Sequence, residues 1–551
     1  MVVSVSSLMV RILTTALIVT IVGVPGWSQA NKDRLKSGGV ASQLPADAPS
    51  SLGPSGAPAK LKGPPSQWIS NVNVNSDPFE QDEPTVAVNP TNRANLVVGN
   101  HERQGPAPPA AIACAFQASL DGGVSFPVHG LTPLQGPLFP APGGHSCSDS
   151  VLAADHNGNF YFAYLDLFRT TSPLRVDLLV ATSVDGGASF PTPVLVAKGV
   201  NSGAGAEDPD KEWIEVDRDL QSPYRGNIYV NYSDFDTFTI KVRKSTNGGL
   251  SFQPPPTSNG VVVSDSGFQA VSAPYLCGTH VCLDVTTRYM QGSNIAVGPK
   301  GEIYVFYGDF TERESFDATA GFAFVNAQML AAKIMSSKSN DEGANWNRTV
   351  VRDMCSGGPC RSAGTDAHET KNTPAIRVGT EPFGGVGPGG KNIYVVWGEW
   401  KSVVFGFDAG TNKDFAVSEG EIMFTRSTDG GTTWEPAIRI DGDTGTNDKF
   451  FANMVVAEEQ VYVVWLDRKL DPTGVDYDVF YATSPNGKNF SSPLRVTTES
   501  SNPRGTNFIG DYIDIDGAQG PMKIHAVWTD RRSVLTSADS VANDVFTAER
   551  H

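Results

Sequence analysis

Long apolar runs are missing from this sequence, and so are clusters of positive charge. The apolar stretch near the amino terminus, Ile12–Val24, is shorter than the ~20 residues a membrane-crossing helix needs. Lys and Arg number 42 against 59 Asp and Glu, a net charge of −17. That balance argues against nucleic acid or an anionic membrane as partner, since both reward clustered basic side chains. Neither the HExxH pattern of zinc proteases nor the paired CxxC spacing of structural zinc sites occurs. Turn chemistry, by contrast, is plentiful. There are 56 Gly and 38 Pro, about one residue in six, and the 40% hydrophobic content is enough for a packed core. A length of 551 residues allows several domains or one large all-β domain.

Residues 1–30 read as a secretory signal peptide: Arg11 supplies positive charge, Ile12–Val24 the apolar run, and Ser28-Gln29-Ala30 small residues for cleavage. A secreted or periplasmic protein is expected, without a membrane segment once the signal is removed. No Cys precedes Cys114, so a lipid-anchored amino terminus is not expected. Residues 31–66, rich in Pro, Ala, Ser and Gly, read as a flexible linker, and 67–551 as the folded domain. The first 66 residues hold six basic and two acidic side chains, which leaves 36 basic against 57 acidic and a net charge of −21. Six cysteines in an exported chain suggest disulfides. Proximity pairs Cys277 with Cys282 and Cys355 with Cys360, leaving Cys114 with Cys147.

The organisation is a repeat. Asn159-Phe-Tyr-Phe-Ala-Tyr-Leu-Asp166 and Gln460-Val-Tyr-Val-Val-Trp-Leu-Asp467 share a template that recurs without a gap at 95–102, 227–234, 302–309, 392–399 and 523–530. Nearly continuous β-branched and aromatic residues predict strands covered on both faces. A shorter strand precedes each copy, at 85–88, 151–154, 213–216, 294–297, 375–378, 453–456 and 512–515. A third strand follows and runs into a Gly-rich turn such as Ser119-Leu-Asp-Gly-Gly-Val-Ser-Phe126. The turn repeats around Asp185, Asn247, Asp341 and Asp429, with a shortened copy at 484–490. Its third residue can bond the turn's own amides while Gly supplies positive φ. As a calcium loop it offers too few oxygens.

Four short strands per unit in tandem specify an all-β, four-stranded-blade β-propeller with seven blades, six being the alternative. The seventh unit lacks an outer strand, and 69–75 alternates in the right way to close the ring. The template acids Glu102, Asp166, Asp234, Asp309, Glu399, Asp467 and Asp530 then fall on one rim, as do Glu83, Asp149, Asp210 and Asp511 at the starts of the first strands. The insertions 263–292 and 352–372 join blades on the same rim, where function is expected. Inheritance of each acid by duplication, with purely local bonding, is the bland alternative for the template acids. Arg468 and Arg531 directly follow such acids and could simply pair with them.

The Ser-x-Asp-x-Gly-x-x-Trp/Phe turn is the Asp-box, and over residues 80–551 the sequence resembles the sialidase-like Asp-box (BNR-repeat) propellers. The stretches 210–217, 510–512 and 526–531 are similar to secreted proteins labelled exo-α-sialidase. The resemblance implies a glycoside hydrolase acting on terminal sugars of glycans, working as a monomer without a required cofactor. It implies arginines that hold a substrate carboxylate, for which Arg103, Arg313, Arg468 and Arg531 are candidates. It further implies Tyr512 as nucleophile, Glu212 as its base, and Asp149 or Asp467 as acid/base. Arginine forks suit a carboxylate, and a neutral phenol suits attack on an anionic sugar. The Phe/Tyr-Arg-Ile-Pro motif of sialidases is absent, and seven units replace their six. Two other functions fit the same fold: a non-catalytic propeller binding glycan or protein, and another carbohydrate-active enzyme such as a polysaccharide lyase, with calcium held by rim carboxylates.

Overall fold

The computed structural model describes residues 10–14, 17–21, 68, 71–75, 80–104, 111–171, 173–320, 323–356, 360, 368–369, 376–400, 406–408, 413–415, 419–442, 445–457, 460–503, 508–518, 523–532 and 543–550. Most of the expected signal and linker therefore lies outside the described residues. The chain is all-β and built mainly of four-stranded antiparallel sheets, an arrangement consistent with a β-propeller.

Among the described residues each copy of the strand template lies in its own sheet. In chain order these sheets span 81–131, 145–197, 209–262, 268–353, 383–439 and 449–495. The seventh combines 514–550 with Val72–Asn73, which pairs with Thr547 and Phe546. The template strands are buried on both faces: every residue of Ile228–Asp234 is buried. Their two faces feed different cores. Ala87, Leu152 and Phe162 pack between the first and second sheets, while Val86, Leu96, Val527 and Val545 pack between the first and the seventh. Burying one such Val or Leu contributes about 1.5–3 kcal/mol.

The first strands of consecutive sheets pack on one another, and Asp514–Ala518 packs on Gln81–Val88. Polar contacts reinforce that last junction. Asp514 accepts bonds from the Thr85 hydroxyl (3.0 Å) and the Val86 N–H (2.9 Å) through one oxygen. Its other oxygen accepts from Asn453 Nδ2 (3.1 Å) in the sixth sheet and from the Ile515 N–H (2.8 Å). One buried carboxyl thus pins three sheets together.

The Gly-rich turns act as local clips. Asp121 accepts the Ser125 hydroxyl, the Ser119 hydroxyl and the Val124 and Ser125 N–H groups, which pull its pKa down to about 2. Asp185, Asn247, Asp341 and Asp429 repeat the pattern. The three disulfides are Cys114–Cys147, which ties the first sheet to the second, Cys277–Cys282 and Cys355–Cys360.

Two expectations are corrected. The first strand of the fifth sheet is Phe383–Val386, whereas Arg377–Val378 pairs with His368–Glu369. Gly384 and Gly385 made that strand unreadable, yet a Cβ at Gly384 would lie 2.2 Å from the Phe306 ring, so packing requires glycine there. The insertion 263–292 is not a loop: it supplies Phe268–Val271, Tyr275–Cys277 and the long strand His280–Val297, widening the fourth sheet to six strands.

Asp514→Ala leaves several buried donors unpaired at one junction and is expected to lower unfolding stability by about 2–4 kcal/mol. Denaturant unfolding measures this, and an unchanged midpoint would show that the carboxyl does not hold the junction.

Candidate functional site

The first strands share a local defect. Their pairing with the second strand slips at Asp82/Thr85, Ser148/Ser150, Asp210/Trp213, Gln291/Asn294 and Phe450/Asn453. At each slip one residue adopts a left-handed backbone: Glu83 (φ 50°), Asp149 (37°), Lys211 (50°), Gly292 (63°) and Phe451 (53°). Such β-bulges re-aim side chains. Non-glycine residues in this conformation cost about 1–2 kcal/mol each and persist where the surroundings over-determine them.

The bulges bring together charged groups from separate sheets. Lys211 Nζ donates to Asp149 Oδ1 at 2.9 Å and to Asp511 Oδ2. Arg377 Nη2 pairs with the other oxygen of Asp511. Glu83 stands close enough that carboxylate oxygens of Glu83, Asp149 and Asp511 lie within 4.8 Å of one another. His101 Nδ1 contacts Glu83 Oε2 at 3.1 Å and Asp82 Oδ1 at 3.3 Å. Beside this cluster a narrow cavity is lined by Asp149, Lys211, Glu212, Trp213, Glu381 and Tyr512, among others. The Trp213 ring meets Phe383 and Tyr512 edge-on, at centroid distances of 4.9 and 5.9 Å, and forms an apolar wall.

The carboxyls differ in proton affinity. Burial, then the neighbouring Asp149 charge, pushes Glu212 well above its ordinary range, and among the described residues no other residue bonds its oxygens. Burial, with Asp149 and Asp511 nearby, likewise pushes Glu83 up. Burial would also raise Asp511, but Arg377 and Lys211 outweigh it and hold this carboxyl low. Burial pushes the Tyr512 phenol well up.

Of the eight residues expected to act on substrate, the structure brings together Tyr512, Glu212 and Asp149. Tyr512 does not hydrogen-bond Glu212, the residue expected to act as its base. The Tyr512 hydroxyl accepts the Ser150 N–H (2.8 Å) and donates to the Ser150 carbonyl (3.0 Å). Asp467 lies elsewhere, buried against Trp465 Nε1 (3.2 Å) and Lys469. The four arginines do not converge on the cavity. Arg103 pairs with Glu80, and the half-exposed Arg313 donates to Gln328. Arg468 is buried and donates to the Gly474 carbonyl, and Arg531 is buried and donates to the Asn502 carbonyl. The template acids are likewise held locally: Glu399 and Asp530 each accept the indole N–H two residues earlier, and Asp166 pairs with His145. Lys211 and Arg377 were not anticipated. Aligning the first strands on their bulges would have found Lys211, since it occupies the position of Glu83 and Asp149.

No protein-family model and no curated protein matches the sequence. Among solved structures the chain is similar to an α-L-arabinofuranosidase of Fusarium graminearum, at 10% identity and a TM-score of 0.37, covering 88% of this chain and 98% of that one. It is similar to an ulvan lyase, a polysaccharide lyase, at 10% identity and a TM-score of 0.41, covering 83% and 93%. A Hadza microbial sialidase aligns at 12% identity and a TM-score of 0.37, covering 76% and 66%. At these values the likeness carries no inference about chemistry.

A carboxyl whose pKa rises on folding contributes stability at low pH that is lost as pH rises through the folded value. For Glu212 that loss begins above its ordinary value of 4.5. Glu212→Gln removes the titration, so the wild-type melting temperature is expected to fall relative to this variant as pH rises above the ordinary value of 4.5. Parallel curves across that range would show that Glu212 is not held protonated.

Proposed function

We propose that this chain is a secreted or periplasmic, seven-bladed propeller, closed by the strand around Val72–Asn73, that cleaves terminal sugars from glycans at the cavity beside the charged cluster. One observation carries the reading: a buried carboxyl, Glu212, whose burial pushes its pKa well up, shares a cavity with Asp149, whose partner is the Lys211 ammonium. Two carboxyls whose environments differ in this way are the arrangement glycoside hydrolysis uses, one donating a proton to the leaving oxygen and the other stabilising developing positive charge. Glu212 is the general acid in this reading and Asp149 the electrostatic partner. The half-buried Trp213 offers a face for a sugar ring. Tyr512 positions Asp149 by gripping the neighbouring Ser150 backbone.

A sialidase-like version, with an anionic sugar and Tyr512 as nucleophile, is the finer alternative. It needs cations directed at the substrate, but Lys211 and Arg377 both engage Asp511 and the four candidate arginines lie away from the cavity. A neutral terminal sugar is therefore the better fit. Three disulfides suit an oxidising compartment. No cofactor is needed for this chemistry, and a monomer suffices.

The test is a panel of fluorogenic glycosides, neutral and sialylated. Wild type is expected to hydrolyse a neutral glycoside, with kcat/KM reduced at least ~100-fold in Glu212→Gln and less than ~10-fold in Tyr512→Phe. Preference for the sialoside together with loss of activity in Tyr512→Phe would establish the sialidase-like version. A folded protein that turns over no glycoside but binds glycan would establish a non-catalytic propeller.

A further inference from the structure

Protein sheets normally guard their outer strands with charge, proline or a covering element, because unpaired N–H and C=O groups there invite another strand. The extension of the fourth sheet reverses this. Its charges sit on the two inner strands, at Asp284, Arg288, Glu312, Arg313, Glu314 and Asp317. The flanks carry none: residues 266–283 and 318–332 hold no Asp, Glu, Lys or Arg, in a chain that is 18% charged. On the first flank Phe268–Val271 pairs with His280–Val297 on one side, and among the described residues no strand pairs with the other side. All four of its residues are exposed, Phe268 by 46% and Val271 by 44%. Tyr275 and the 78% exposed Leu276 continue the apolar surface to the end of the hairpin. There the Cys277–Cys282 disulfide staples the chain, which pre-organises a segment standing in solvent.

We propose that this edge is a docking surface for a second copy of the chain, the two hairpins joining strand to strand about a two-fold axis. Charge selects the occupant. Two chains of net charge −17 repel one another where acidic surfaces meet, and a charge-free flank is where they approach without that cost. A basic partner would find no acid to pair with along 266–283. A lipid surface would leave the N–H and C=O groups of the edge unsatisfied, and the flank offers no Lys or Arg to its headgroups. A second strand of the same kind supplies both the backbone bonds and an apolar neighbour for Phe268 and Val271. Pro274 has no N–H, so the pairing runs along Phe268–Val271, while Tyr275 and Leu276 add apolar area beyond it. The opposite flank is the poorer template, because its strand is bulged at Val325 and Leu330 and so twists away from a flat partner. The inference holds whether or not the cavity turns over a glycoside.

The test is sedimentation velocity of the full chain from ~1 to ~100 μM, the range that resolves a dimer of micromolar affinity. Wild type is expected to form a reversible dimer that tightens as salt rises from ~0.05 to ~0.5 M, because screening relieves repulsion between acidic chains and leaves the apolar contact intact. Val271→Lys sets like charges against each other at the joined edge and is expected to weaken the dimer at least ~tenfold. Phe268→Lys, also at an exposed position, is expected to do the same and decides the matter should Val271→Lys fail to fold. Leu330→Lys, on the bulged flank, is expected to leave the dimer unchanged. A chain that stays monomeric across the range at both salt concentrations would overturn the proposal. So would a dimer indifferent to both substitutions at the Phe268–Val271 edge, or one broken by Leu330→Lys instead. Binding of a monomer to phosphatidylcholine vesicles, lost in Val271→Lys, would assign the edge to a lipid surface and equally overturn it. Each readout is association, so these outcomes stand apart from failure of the hydrolase reading, which is judged by turnover.

Discussion

Every template strand is apolar on both faces, and this constraint orders everything else. A sheet with such a strand inside it is stable only when covered from both sides. In a row of such sheets the first and last would each leave one face in water. Val527 and Val545 pack on Val86 and Leu96, so the sheet at the carboxy-terminal end and the first sheet cover one another, with Asp514 bonded across the junction. Mutual coverage also draws the first strands of the sheets toward one another. Groups from sheets far apart in sequence, such as Glu83, Asp149, Lys211 and Asp511, thereby come within contact distance. The candidate site is a consequence of how the cores are covered.

The bulges turn that convergence into a site. An unbroken first strand would keep pairing with its neighbour and alternate its side chains between the two sheet faces, where the apolar cores lie. Inserting residues at the slip frees one position from that alternation, and Glu83, Asp149 and Lys211 occupy it with charged side chains. The fourth sheet uses Gly292 at the same point and the sixth uses Phe451, so the backbone device is general while its chemistry is confined to one side of the cluster. Ion pairing at Lys211 offsets part of the strain at the three charged residues, whereas among the described residues no other residue bonds the buried Glu212 carboxyl. Uncompensated cost at a cavity wall is what functional positions tend to show.

The fold was largely legible because its signal repeats: the template copies, the Gly-rich turns, the strand at 72–73 and the cysteine pairs are local patterns. It failed at Phe383–Val386, where glycines dictated by the Phe306 ring erase the β-signature. It failed again at 268–297, where a presumed loop pairs as strands. The site was legible only in part. Tyr512, Glu212 and Asp149 line one cavity, and each stands beside an expected strand start, a position the repeat makes visible. The arginines were misplaced because a guanidinium's partner is set by tertiary contact: Arg468 and Arg531 follow acids in sequence but are buried on carbonyls of Gly474 and Asn502. Lys211 stayed hidden because a basic residue stands where Glu83 and Asp149 are acidic and Gly292 and Phe451 carry no charge.

Charge at the cluster differs from what the net acidity of the chain suggests. Glu83, Asp149, Glu212 and Asp511, with Asp82, Asp210 and Glu381 close by, outnumber the two cations, Lys211 and Arg377. Full ionisation would leave uncompensated negative charge in a buried space, which the low local dielectric makes costly. Burial pushes the pKa of Glu83 and Glu212 up, which lowers that charge. The template acids do not add to it, since their bonds lie elsewhere: Glu399 and Asp530 accept indole N–H groups, Asp166 pairs with His145, and Glu399 also meets Arg352 of the fourth sheet at 3.6 Å. An acidic rim repelling anionic sugars is therefore not the reason to disfavour them. The reason is that the cations at the cluster already serve the protein's own carboxylates, so an incoming anion would have to take Lys211 or Arg377 from Asp511, whereas a neutral sugar asks for neither.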